Sequence, residues 1–177
     1  MDVVRECGFG GEASLLIEGR SAGVADSGKV NRVYVLPKDA IVVTQPDGTT
    51  IDDPKSPTRK LMAPPRANFQ EVYAAGERLA ARSILEQINE TKAALEQFGT
   101  YDFQRDKATN TWFADYVHAA NYAVGVYMAG LGYEKRTSVK IAQTYGFFRS
   151  SNKFSEEAKE WTEKGWEDAY RGDWRSQ

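Results

Sequence analysis

Four prolines fall within twelve residues of this chain, at Pro54, Pro57, Pro64 and Pro65, and their spacing limits the fold more than any other feature. Proline fixes φ and has no amide hydrogen, so no helix runs through such a stretch. The 177 residues therefore divide into an N-terminal part of about 65 residues and a longer C-terminal part. The first part is rich in Gly, Pro, Asp and β-branched residues. Residues 14–17, 30–36 and 40–44 read as strands, and 49–51 follows after Pro46-Asp47-Gly48. That tripeptide is a turn signal, since proline presets φ and glycine accepts positive φ. Residues 1–65 are thus expected to be a β and loop extension ending in a proline-rich linker.

The second part carries helical spacing. Over residues 69–98, Val72, Leu79, Ile84, Leu85, Ile88, Leu95 and Phe98 recur among Ala, Glu, Gln and Arg. This predicts one long amphipathic helix, or two broken near Gly76, with Gly99 as the stop. A second helix is expected from Asn110 or Thr111 to Leu131, closed by Gly132. A third should cover 138–148, and a last one should open on Ser155-Glu156-Glu157 and run through Tyr170. The expected fold class is mainly α: an all-α domain at 66–177 carrying a small β-containing N-terminal extension.

Charge and rare residues narrow the chemistry. The formal net charge is −2 and the pI about 5.6, which excludes a strongly cationic nucleic-acid coat but not a local basic patch. One cysteine, Cys7, rules out an intrachain disulfide and a multi-cysteine zinc site, and one histidine, His118, rules out a multi-histidine site. Neither a metal nor a cofactor is expected. Cys7 lies in a glycine-rich leader far from His118, which disfavours a Cys–His enzyme. The N-terminus has no basic start followed by a long apolar run, so no secretory signal is expected. Residues 113–133 are apolar but interrupted by Asp115, His118 and Asn121, so a membrane span is not expected either.

Those three residues, with Tyr122, form the most informative constellation. On a helix, positions 115, 118 and 122 share a face, with Asn121 beside them. Asp115 would hold the imidazole of His118 in one tautomer and raise its basicity, as a general acid or base requires. A lone helical histidine is more often structural; against that stand its hydrogen-bonding neighbours. Residues 135–153 carry Lys135, Arg136, Lys140, Arg149 and Lys153 without an acid, a local +5 interleaved with Tyr145, Phe147 and Phe148. Such a run suits phosphate contact and base stacking, or equally a solvated face over an aromatic core. Residues 156–173 hold seven acids and three bases, and would complement that face or attract a basic partner. Glu77 and Glu86 are alternative acids of the kind a muramidase needs, although surface helix charge explains them as well.

The stretches Ala120-Asn121-Tyr122-Ala123-Val124-Gly125, Trp161-Thr-Glu-Lys-Gly165-Trp166-Glu-Asp-Ala-Tyr170 and Tyr101-Asp102-Phe103-Gln104-Arg105 resemble the bacterial polymorphic toxin type 44 family over about residues 80–172. The chain departs from the family pattern in one place. Where the family usually has Asp-aromatic-Gly-Asn, this chain has His118-Ala-Ala-Asn121, with Asp115 one turn earlier.

The resemblance implies an antibacterial effector, the toxic module of a secreted polymorphic toxin, with a cognate immunity protein and a delivery module as partners. It would pass into a target cell without a cleaved signal, by a contact-dependent route such as type VI secretion, and would be cytoplasmic in the producer. The family is a predicted ribonuclease group. On that reading His118 acts as general base or acid, Asp115 orients it, and Asn121 and Tyr122 position RNA. Arg105, Lys135 or Arg136 then steadies the phosphorane charge. Two other readings stay open: a muramidase-like peptidoglycan hydrolase acting in the periplasm, and a non-enzymatic secretion adaptor.

Overall fold

The computed structural model describes residues 30–149, 154–171 and 174, with the backbone alone at 146–149. Cys7, the expected strand at 14–17, Lys153 and the side chains of Phe147, Phe148 and Arg149 lie outside this description. Short strands come first: β1 (Asn31–Val33), β2 (Ile41–Val42), β3 (Asp52–Asp53), β4 (Ser56–Lys60) and β5 (Met62–Ala63). Helices α1 (Phe69–Ala80) and α2 (Ile84–Leu95) follow, then β6 (Arg105–Asp106) and β7 (Thr111–Phe113). A 3₁₀ turn at Ala114–Tyr116 leads into α3 (Val117–Gly130), α4 (Lys135–Arg149) and α5 (Glu156–Tyr170).

The fold is mixed α/β, which corrects the expectation of a mainly α chain. Three small sheets stand beside the helices: β1-β7-β6, β2-β5 and β3-β4. In the first, β1 runs parallel to β7 although almost eighty residues separate them, with Asn31 opposite Thr111 and Val33 opposite Phe113. That pairing holds residues 111–113 extended, where helical spacing had predicted the start of a helix. The turn at Pro46–Gly48 forms as its chemistry requires. Gly48 adopts φ +86°, and the Asp47 carboxylate accepts hydrogen bonds from the backbone N–H and hydroxyl of Thr49 at 2.8 and 2.6 Å. The proline-rich stretch expected as a linker holds the β3–β4 hairpin and β5. Ile51, Leu61 and Ala63 from this region are buried in one cluster with helix residues.

The break in the first helical stretch comes at residues 81–83, not near Gly76. Ser83 caps α2 in a reciprocal box: its backbone N–H and hydroxyl donate to the Glu86 carboxylate at 3.0 and 2.6 Å, and its oxygen accepts from the Glu86 N–H. Two orphan donors at the helix start are satisfied together. Gly76 lies inside α1, where it meets α3. Although α2 is apolar in pattern, Ile84, Leu85 and Ile88 are exposed and none of its residues is buried.

The centre of the molecule is α3, apolar on all sides and flanked by α1 and α5. The approach is backbone to backbone. A Cβ on Gly125 would fall on the Thr162 carbonyl oxygen, and one on Gly165 on the Tyr122 carbonyl oxygen. On the other side, Gly130 and Gly76 bring α3 and α1 equally close. Gly132, at φ +80°, ends α3, and Ser155 caps α5 by accepting from the Ala158 N–H. Among the described residues no helix is long and apolar enough to cross a membrane.

Candidate functional site

Residues 117, 120, 121, 124 and 128 recur at helical spacing, so one side of α3 is a stripe of Val, Ala, Asn, Val and Met. This stripe floors a cavity of about 560 Å³. Ile88, Thr91 and Leu95 of α2 form a second wall, Ile141, Ala142 and Tyr145 of α4 a third, and Arg32, Trp112 and Arg105 of the β1-β7-β6 sheet a fourth. The lining is more apolar than polar, with its charged groups gathered toward the sheet and the C-terminal end of α2. Concave, mainly apolar sites with a few convergent polar groups are the usual form of ligand pockets.

Two segments singled out in the sequence meet here. Asp102 comes from the connection between α2 and β6, Arg105 from the start of β6, and Asn121 from α3. Asp102 is buried, and its carboxylate accepts from the Phe98 N–H at 2.8 Å and from Arg105 Nη1 at 3.0 Å. Arg66 secures the same loop through its backbone, donating to the carbonyls of Asp102 and Arg105 at 3.1 and 2.8 Å. Arg105 is thereby a cation held in place at a cavity wall. Pairing through one edge of the guanidinium leaves the remaining N–H groups to a ligand, and phosphate or carboxylate matches that fork. Asn121 donates its amide to the Val117 carbonyl at 3.0 Å, which leaves its Oδ1 to face partners outside the helix. The Trp112 indole N–H donates to Gln104 Oε1 at 3.0 Å. Glu96, at the end of α2, also lines the cavity, and no ion pair engages it among the described residues.

The other predicted site residues stand elsewhere. His118 faces α5, its ring stacked on Trp161 at 5.2 Å, with Nε2 3.5 Å from a Glu157 carboxylate oxygen. Nδ1 is buried with no hydrogen-bond partner among the described residues, so Asp115, half-buried in the 3₁₀ turn, does not orient the ring as expected. Glu157 is the carboxylate beside the imidazole, a neighbour that only the α3–α5 packing supplies. Tyr122 is buried in the core between Phe69 and Trp161, donating to Asp168 at 3.0 Å, where burial pushes its hydroxyl pKa well above 10.0. Lys135 is paired with Glu167 at 2.7 Å, which joins the basic and acidic stretches within the fold, while Arg136 is exposed away from the cavity. Glu77 is exposed, and the Ser83 hydrogen bonds hold the Glu86 pKa below its usual value, opposite to the need of a general acid.

Burial lowers the His118 pKa below the usual 6.5, opposed by Glu157 and Asp53. The unfolded chain thus takes up a proton near pH 6.5 that the folded chain still refuses. Stability from this group is complete above pH 6.5 and falls as the pH drops toward the folded-state pKa. Chemical denaturation at about pH 7 and pH 5.5 should show that loss, and His118→Gln should flatten it. An unchanged pH slope in the variant would remove His118 as its source.

No family model matches this chain, and no curated protein or solved structure does. Among the described residues no group of three or more His, Cys, Asp or Glu side chains is placed to hold a metal ion.

Proposed function

We propose that this protein is an antibacterial effector whose 560 Å³ cavity cleaves RNA. The observation that carries the reading is the Asp102–Arg105 clamp that lines one cavity with Asn121. Arg105 binds the scissile phosphate and offsets the charge that develops on it, with its orientation already fixed by Asp102, Phe98 and Arg66. Asn121 supplies a second polar contact in the cavity. Glu96, a lining carboxylate with no ion pair among the described residues, accepts the 2′-hydroxyl proton as that oxygen bonds to phosphorus, and the P–O5′ bond breaks with the leaving oxygen taking a proton from solvent. Proton transfer thus passes to Glu96 in place of His118, which stands on the other side of α3. The motif glycines serve packing rather than chemistry, since Gly125 and Gly165 let α3 and α5 touch. The resemblance over residues 80–172 supports the effector context, with contact-dependent delivery into a target bacterium and a cognate immunity protein guarding the producer. Glu86 is engaged as the α2 cap and Glu77 is exposed, so neither is set as the acid a muramidase needs.

Inducible expression in a bacterium tests this. Retained in the cytoplasm, the protein should arrest growth and fragment RNA, whereas export to the periplasm should leave the cell wall intact. Arg105→Gln and Asn121→Ala, at equal soluble levels, should lose toxicity, with cleavage reduced roughly a hundredfold or more. Lysis confined to periplasmic export, or full cytoplasmic toxicity in both variants, would overturn the assignment.

A further inference from the structure

The register of the β1-β7-β6 sheet puts three cavity residues in one rung. Trp112 on β7 is paired with Arg32 on β1 and with Arg105 on β6. Direct cross-strand neighbours present their side chains on the same face, and all three line the cavity. The Arg32 guanidinium lies 6.0 Å from the centre of the indole, whose orientation the bond to Gln104 fixes. Tyr34 braces the ring edge-on at 5.8 Å. The result is an immobilised aromatic plane with one cation over it and a second beside it in the sheet, on the wall of a cavity large enough for a nucleotide.

We infer that the Arg32–Trp112–Arg105 rung is the subsite for one unpaired nucleotide of the RNA strand, with its base against Trp112 and the adjoining phosphates on Arg105 and Arg32. Aromatic planes beside backbone-tracking cations are how proteins hold single strands, because every base offers a π-face. A duplex cannot use the rung, since its bases remain stacked inside the helix and its deep groove excludes side chains. The substrate class is therefore single-stranded RNA or the unpaired loops of folded RNA. This deepens the ribonuclease reading and rests on it for the identity of the strand.

The test reads binding without cleavage. A fluorescently labelled, fully 2′-O-methylated RNA dodecamer, which has no free 2′-hydroxyl, is titrated as a single strand and as a duplex against the full chain. The single strand should bind more tightly than the duplex. Trp112→Leu should weaken single-strand binding about tenfold or more. Arg32 is exposed, so Arg32→Gln should leave the fold intact, weaken binding severalfold and lower the salt slope by roughly one. Equal affinity for the duplex, no binding of the single strand, or wild-type binding by both variants would overturn the subsite. If RNA is degraded in cells while both variants bind normally, the subsite fails and the ribonuclease reading stands. If both variants lose binding but RNA survives in cells, the subsite stands and the ribonuclease reading fails.

Discussion

Gly125→Ala should cost this protein about 3 kcal/mol, or roughly 6–12 °C in Tm for a chain of this length, without touching any cavity residue. The added methyl would land on the Thr162 carbonyl oxygen and beside the Trp166 N–H, both of them backbone atoms of α5. Side chains escape an overpacked site by changing rotamer, but a helix backbone moves only as a unit. Relief therefore means pulling α5 away from α3, which opens the core around Trp161 and Tyr122. Gly165→Ala meets the same obstacle from the other side, on the Tyr122 carbonyl, so the two losses should not add when combined. Gly48→Ala is the control. Its Cβ would stand in open space, and only the φ of +86° opposes it, at about 1 kcal/mol. Thermal unfolding of the three variants separates the effects. A Gly125→Ala shift no larger than that of Gly48→Ala would mean that the two helices are not in backbone contact.

That contact also explains what the sequence could and could not tell. Local signals were legible where one residue type has one physical use: Ser155 as a cap, Gly132 as a stop, Pro46-Asp47-Gly48 as a turn. The Ser83-x-x-Glu86 box was equally present, yet the apolar run from Val72 to Phe98 masked it and drew the break toward Gly76. The fold class was missed because the strands are two to five residues long, too short for alternation to register. The strand at Thr111–Phe113 owes its form to Asn31–Val33, a partner that no local window contains. The candidate site divided for a geometric reason. One helical step is about 100°, so His118 and Asn121, neighbours on one stripe, were separable only once α5 was known to cover one side and the cavity the other. Arg105 and Asn121 line the same cavity, the first through a segment that the sequence offered only as a motif. Trp112 and Glu96 had no signal of their own, since an aromatic residue and a surface acid are common everywhere.

The loop that leads into Arg105 gives the second large effect. Asp102→Ala should destabilise the fold by about 3 kcal/mol and abolish RNA cleavage together. The carboxylate is almost wholly enclosed, at 2% side-chain exposure, and Arg105 at 16% is little more open, so neither charge has water in reserve. Removing the anion leaves a guanidinium without its counter-ion and the Phe98 N–H without its acceptor. Phe98 holds φ 63°, a conformation a bulky residue keeps only when its surroundings enforce it. Asp102→Asn separates the two losses. An amide oxygen can still accept from Phe98 but carries no charge for Arg105, so stability should recover in part while cleavage stays low. The double variant Asp102→Ala/Arg105→Gln should be less destabilised than the sum of the single variants, by more than about 1 kcal/mol, because it no longer buries an unpaired charge. Strict additivity in denaturant unfolding would show that the two side chains act independently. Arg105 would then be held by its backbone alone, through Arg66, and Asp102→Asn should cleave RNA as the wild type does.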